Sequence, residues 1–247
     1  MRPHVAARTN TGRCRERNED AFTITDLPRG EGVVVGVYDG CGSVSPTEGP
    51  SLVAAQVVHE EIGRWTGPHL PDELGARLDS ALSSACSAVW RESRSRKFGL
   101  GTTAMICGVI DGQLSGVQVG DARAYLVRGA TLVQLSRDDT LLQDLLDQGQ
   151  LAAEDAEDFE LRNVITRALG TSAEIDRSSF TARLSASDRV ILVTDGIWRP
   201  LAPVSFHRIA TGHGDAKSIC DALIDAAEAA GGHDNQTVVV IDCRSVA

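Results

Sequence analysis

A chain of 247 residues with 42% hydrophobic and 23% charged side chains has the composition of an ordinary globular protein and is long enough to bury a sizeable core. Its 34 acidic and 24 basic residues leave a formal net charge of −10, which argues against general affinity for nucleic acid, because that depends on Lys and Arg neutralising phosphates. No stretch approaches the roughly 18 consecutive apolar residues of a membrane span, and the N-terminus lacks the apolar run of about 7–15 residues of a secretory signal, so a cytoplasmic, membrane-free location is expected.

In chain order, residues 20–26 and 32–38 read as strands joined by Pro28-Arg29-Gly30-Glu31-Gly32, a turn-rich link that predicts a hairpin. After the Gly/Ser/Pro-rich segment 40–50, apolar residues over 52–65 and 74–89 recur at helical spacing and predict two amphipathic helices on a sheet face. Three or four strands follow as a meander between residues 102 and 135, with Asp111-Gly112 and Arg128-Gly129-Ala130 as turns. Residues 138–169 switch to helical composition, with Leu141-Leu142-Leu145-Leu146, a break at Gly149, and then Leu161, Val164, Ile165 and Ala168; they read as an insertion carrying short helices. Strands return near 178–184 and 189–194, a helix covers 215–230, and a last strand covers 236–243. Antiparallel strands with grouped helices indicate an α+β fold, and with no internal repeat or linker the whole chain, 1–247, is expected to form one domain.

The six cysteines show no C-x-x-C pair and no regular spacing with histidine, which argues against zinc and disulfide frameworks. Cys86 and Cys107 sit in apolar surroundings and are expected to pack as small hydrophobes. A local basic cluster, Arg91, Arg94, Arg96 and Lys97, reads as a solvated helix end. Trp65, Trp90 and Trp198 are too dispersed to form a base-stacking platform.

The chemistry is carried by acids at strand ends. Asp20 closes Arg17-Asn18-Glu19-Asp20; residues 33–38 run into Asp39-Gly40, residues 190–194 into Asp195-Gly196, and Asp234-Asn235 leads into residues 237–241. One Asp-Gly pair alone is a common turn signal. Several carboxylates that converge when their strands pair are the oxygen-only donor set of a hard divalent cation such as Mg²⁺ or Mn²⁺.

Taken in order, Gly12-Arg13-Cys14-Arg15-Glu16-Arg17-Asn18-Glu19-Asp20, Val37-Tyr38-Asp39-Gly40-Cys41-Gly42, Gly101-Thr102-Thr103-Ala104, Val119-Gly120-Asp121-Ala122-Arg123, Thr194-Asp195-Gly196 and Asp234-Asn235-Gln236-Thr237 resemble the metal-dependent, type-2C Ser/Thr protein phosphatase family, in its bacterial form, over nearly the whole chain. The resemblance implies a central antiparallel β-sandwich with helices on both outer faces and an active site at one edge. It also implies a flap-like insertion near 138–165, bounded by Leu135-Ser136-Arg137-Asp138-Asp139-Thr140 and Thr166-Arg167-Ala168-Leu169-Gly170. Carried over position by position, Asp20, Asp39, the Gly40 carbonyl, Asp195 and Asp234 would hold two Mn²⁺ or Mg²⁺ ions, with Asp39 bridging them and Glu19 acting through a bound water. Two such cations about 3.5–4 Å apart can share a water, lower its pKa and aim it at phosphorus.

Arg15 matches the family's phosphate-binding arginine, whereas the competing Arg13 and Arg17 read as solvated charges. Asp121 matches an acid that helps hold a weaker third metal, together with an acid four residues after the Asp-Gly aspartate. Here that position is Arg199, so a third metal is expected to bind poorly or not at all, and Asp121 stands as either a ligand or a turn residue. Cys41 stands where many members carry histidine and bacterial members often methionine, Ser43 replaces a common glycine, and His233 reads as a solvated loop residue. The implied activity is hydrolysis of phosphoserine and phosphothreonine on proteins phosphorylated by a Ser/Thr kinase. Two other readings stand beside it: a phosphatase-like binding module with lost chemistry, motivated by Arg199 and Cys41, and a hydrolase of small phosphorylated molecules.

Overall fold

Side-chain alternation in the third strand sets the layering of the molecule. Val33, Val35 and Val37 face one way into a core shared with a second sheet, while Val34 and Tyr38 face the other way into a core roofed by helices. Gly36 lies in this strand where an added Cβ would run into the Tyr38 hydroxyl, so the tyrosine ring fills the space of the missing side chain. The structure, a computed structural model, describes residues 3–42, 49–66, 69–95 and 101–243. Ser43, Arg96 and Lys97 therefore lie outside the described residues.

The strands are β1 (His4–Asn10), β2 (Asp20–Asp26), β3 (Gly32–Cys41), β4 (Gly101–Thr102), β5 (Ala104–Ile110), β6 (Gln113–Val119), β7 (Arg123–Arg128), β8 (Thr131–Gln134), β9 (Ser178–Arg183), β10 (Arg189–Val193) and β11 (Gln236–Asp242). The helices are α1 (Pro50–Gly63), α2 (Pro71–Ser95), α3 (Leu141–Asp147), α4 (Asp195–Trp198), α5 (Pro203–Ala210) and α6 (Ala216–Ala229). One sheet has the order β1-β11-β10-β7-β8 and the other β2-β3-β5-β6-β9, with β4 also pairing with β3. Every pairing is antiparallel. Between the sheets, Val35, Val37, Met105 and Cys107 meet Val190, Leu192, Val239 and Ile241. α1 buries Ala54, Val58 and Ile62 and α2 buries Leu74, Leu78 and Leu82 against the outer face of the second sheet, and α6 buries Ile219, Leu223 and Ile224 against the outer face of the first. The α+β sandwich with helices outside both sheets is thus the fold.

The expected hairpin is present as β2–β3, and the two predicted helices as α1 and α2. Asp111 and Gly112 both take positive φ, the backbone of a tight two-residue turn between β5 and β6. The predicted meander is corrected, because β6 and β7 belong to opposite sheets. The chain crosses the sandwich at Gly120, whose φ of 96° and close approach to Thr103 leave no room for a Cβ. The insertion is also less helical than expected: α3 forms, but Leu161, Val164 and Ile165 lie exposed outside any helix. They have no sheet face to cover, and the segment returns to its base by a bridge between Thr140 and Ile165. β1 and α5 were not anticipated. Cys86 and Cys107 are buried as free thiols, and among the described residues no helix is long and apolar enough to cross a membrane.

Leu78 is fully buried in the helix–sheet layer. Leu78→Ala should lower unfolding stability by about 2–5 kcal/mol, the cost of the lost methyls plus the residual cavity, measured by urea denaturation. A midpoint equal to wild type would contradict this packing.

Candidate active site

Antiparallel register places Asp20 of β2 directly beside Asp39 of β3 at one end of their sheet. Asp20 then reaches across to the other sheet. Its Oδ2 accepts hydrogen bonds from the Thr194 hydroxyl at 2.9 Å and the Thr237 hydroxyl at 2.7 Å, at the ends of β10 and β11. Asp195 follows Thr194 at the start of α4, and Asp39 and Asp195 lie within hydrogen-bond reach of one another. Strands from both sheets thereby deliver acids to one edge.

Backbone clamps hold these acids in place. The Thr102 hydroxyl and the Thr103 N–H both donate to the Asp39 carbonyl, at 2.9 and 2.8 Å, and the Asp39 N–H donates to the Thr103 hydroxyl at 3.1 Å. Gly40 faces the Glu19 carbonyl and the Ser51 hydroxyl, and a Cβ there would lie 2.6 Å from the former and 2.8 Å from the latter. The Ser51 hydroxyl donates to that same Glu19 carbonyl. Asn235 is the hub of the adjoining loops: its side-chain amide donates to the Thr11 and Arg17 carbonyls, each at 2.8 Å, and its Oδ1 accepts from the Glu19 N–H at 2.8 Å. Its own N–H donates to Asp234 Oδ1 at 2.8 Å. Gly196 packs so closely on the Asn235 carbonyl that any side chain there would collide with it.

Concentrating anions at this edge has the expected electrostatic result. Burial, aided by the charges of Asp195 and Asp234, lifts the Asp20 carboxyl to about 7 against the pull of the two threonine hydroxyls. Burial and the neighbouring charges of Asp20 and Asp195 hold Asp39 well above the usual carboxylate range. Burial and Asp195 raise Asp121 to about 6, with the Arg199 cation opposing. Like charges held this close favour a cation among them, and the oxygen-only donors suit a hard divalent one. The residues thus fit a pair of Mn²⁺ or Mg²⁺ ions. Among the described residues, no three acidic, histidine or cysteine side chains are grouped closely enough around one point to hold an ion as they stand.

Arg15 touches this centre. Its Nη2 lies 2.8 Å from Asp234 Oδ2 with about half of its side chain exposed, whereas Arg13 pairs with Glu228 at 2.8 Å. Asp121 is in the loop between β6 and β7 and is ion-paired to Arg199 at 2.6 Å; Arg199 also meets Asp195 at 2.8 Å. Cys41 is exposed, and His233 is exposed with its Nδ1 3.5 Å from Cys14 Sγ. Arg91 and Arg94 lie at the end of α2, Arg94 over the ring of Trp90.

Sequence reasoning missed the groups that hold the acids: Thr194, Thr237, Thr102, Thr103, Ser51 and Asn235. Threonine beside a β-run reads as a strand former, and nothing local reveals that its hydroxyl serves a carboxylate on the other sheet. The one available signal was position, since Thr194 and Asn235 each adjoin a motif aspartate.

Oxygen donors for hard cations beside a solvent-facing guanidinium, at the edge of an antiparallel sandwich, define a metal-dependent hydrolase of phosphate esters. The family model for protein phosphatase 2C matches residues 13–236. The serine/threonine phosphatase stp of Listeria monocytogenes is 27% identical over 241 residues, covering 97% of this chain and 95% of that protein. The serine/threonine protein phosphatase PstP of Mycobacterium tuberculosis is 31% identical over 239 residues, 96% of this chain and 44% of its own length. The crystal structure of the PstP catalytic domain in complex with two manganese ions superposes with a TM-score of 0.81 at 28% identity, over 97% of each chain. The chain belongs to the protein phosphatase 2C family and is a metal-dependent phosphatase.

Asn235→Ala should leave the Glu19 N–H and the Thr11 and Arg17 carbonyls short of a partner, at about 1–3 kcal/mol for each group that water does not reach. The melting temperature should fall clearly below wild type by differential scanning calorimetry. An unchanged melt would show that the hub does not hold these loops.

Proposed function

We propose that this chain is a cytoplasmic phosphatase of phosphoserine and phosphothreonine in proteins that a Ser/Thr kinase has phosphorylated. The carrying observation is the convergence of Asp20, Asp39, Asp195 and Asp234 at one sandwich edge with the Arg15 guanidinium held 2.8 Å from Asp234. Names of relatives support the substrate class, since stp and PstP are both serine/threonine phosphatases.

In this reading Asp20, Asp39, Asp195, Asp234 and the Gly40 carbonyl would hold the two ions, and Glu19 would act through a bound water. When bound, such a pair activates water for in-line attack on a phosphoester. Asp39 would bridge the two ions, a reading supported by its position between Asp20 and Asp195. Arg15 receives the phosphate: its fork engages two phosphoryl oxygens, and its bond to Asp234 fixes its direction before substrate arrives. Cys41, exposed just after Gly40, leaves solvent to protonate the departing serine or threonine oxygen. Residues 1–247 act as one catalytic domain in which 138–165 form a flap beside the site, and that flap sets which phosphoproteins fit.

Purified protein should release phosphate from a phosphothreonine peptide only when Mn²⁺ or Mg²⁺ is supplied. Asp195→Asn should abolish turnover, and Arg15→Ala should lower kcat/KM by about 10²–10³, the effect of removing one preorganised donor to a charged transition state. Malachite-green assays on a phosphopeptide and on a small phosphomonoester measure both rate and substrate preference. Metal-independent release, or a preference for the small ester, would defeat the proposal.

A further inference from the structure

Arg199 places a permanent cation inside the acidic cluster. It lies four residues after Asp195, one helical turn along, and its N–H donates to the Asp195 carbonyl at 2.9 Å. The guanidinium then forks between two acids, with Nη1 2.8 Å from Asp195 Oδ2 and Nη2 2.6 Å from Asp121 Oδ2. Both carboxylates are more than nine-tenths buried on their side chains. A guanidinium stays charged at every physiological pH.

The fork is held from behind. The Trp198 indole N–H donates to the Asp121 carbonyl at 3.2 Å, and its ring carries the Arg123 guanidinium 3.3 Å from the centroid, with Arg199 at 5.2 Å. Arg123 is in turn fixed by two bonds from Nε and one from Nη2 to the Asp138 carboxylate. Arg199 therefore sits in a preset position and does not sweep through solvent.

Charge balance gives this position its meaning. Five carboxylates crowd the edge: Asp20, Asp39, Asp121, Asp195 and Asp234. Two divalent ions neutralise four of those charges and Arg199 the fifth, which leaves Arg15 to meet the incoming phosphate. Resting on the two-ion reading above, we propose that Arg199 is a built-in replacement for a third metal ion: it neutralises Asp121, holds Asp195 oriented for the ion pair, and sets the metal content at two. The competing arrangement is a third ion held through Asp121 Oδ1, which is buried with no hydrogen-bond partner among the described residues.

Counting bound Mn²⁺ by electron paramagnetic resonance across a titration to millimolar metal separates these arrangements. Wild type should bind two ions per chain, and Arg199→Asp, which turns the fork into a third carboxylate, should bind three. Arg199→Gln, which removes the charge but keeps the bulk, should weaken binding of the ion pair by about 10–100-fold, the usual effect of losing a partner that orients a ligand, and Arg199→Lys should recover part of it. Three ions in the wild type, two in a folded Arg199→Asp, or a pair affinity untouched in Arg199→Gln would each overturn the role of Arg199. No bound ion in the wild type would overturn the two-ion reading as well, so the two failures are distinguishable.

Discussion

Mutual repulsion among carboxylates is the constraint on which the rest of this structure depends. A cluster of buried or half-buried acids does not stay together unless something rigid holds each one, because every charge gains by moving apart into water. The two sheets supply that rigidity. Asp20 belongs to one sheet but its hydrogen bonds come from Thr194 and Thr237 of the other, so this buried acid also stitches the sandwich edge. The valine-rich inter-sheet core fixes how far apart those strands stand.

The same constraint accounts for residues that look unrelated to chemistry. Gly40 and Gly196 permit close backbone approach, the first to Glu19 and the second to Asn235, and so let the acidic loops pack within reach of one another. Asn235 ties the β1–β2 loop at three points with a single amide, and the Thr102-Thr103 pair pins the Asp39 backbone. Arg199 and Arg15 then distribute positive charge to opposite ends of the cluster, one enclosed between acids and one facing solvent.

Local patterning made most of the fold legible. The β2–β3 hairpin, both long helices, the Asp111-Gly112 turn and the last strand all follow from hydrophobic period and turn chemistry, which act over a few residues. The crossing from β6 to β7 between sheets did not, because a Gly-Asp turn looks the same whether the next strand returns to its own sheet or to another. Apolar residues at 161, 164 and 165 suggested a helix for a similar reason: spacing reports a possible face but not whether anything is there to cover it. At the site, the acids and Arg15 stood out by residue type and motif order. Their supports did not, since a hydroxyl or an amide gains its role only from a partner some 200 positions away, as Thr237 does from Asp20.

The base of the 138–165 excursion closes on one buried residue. Asp139 accepts the Gly120 N–H at 2.9 Å through Oδ2 and returns its own N–H to the Gly120 carbonyl at 2.9 Å; its carbonyl takes the Thr166 N–H at 2.8 Å, and its Oδ1 meets Arg167. Departure and return of the chain are thus bolted to the loop that carries Asp121, while residues 152–165 between them are mostly exposed. Such a cassette can change in length and sequence at small entropic cost, because its ends are already joined. New recognition surfaces can therefore arise there by drift and insertion while the catalytic edge stays as it is.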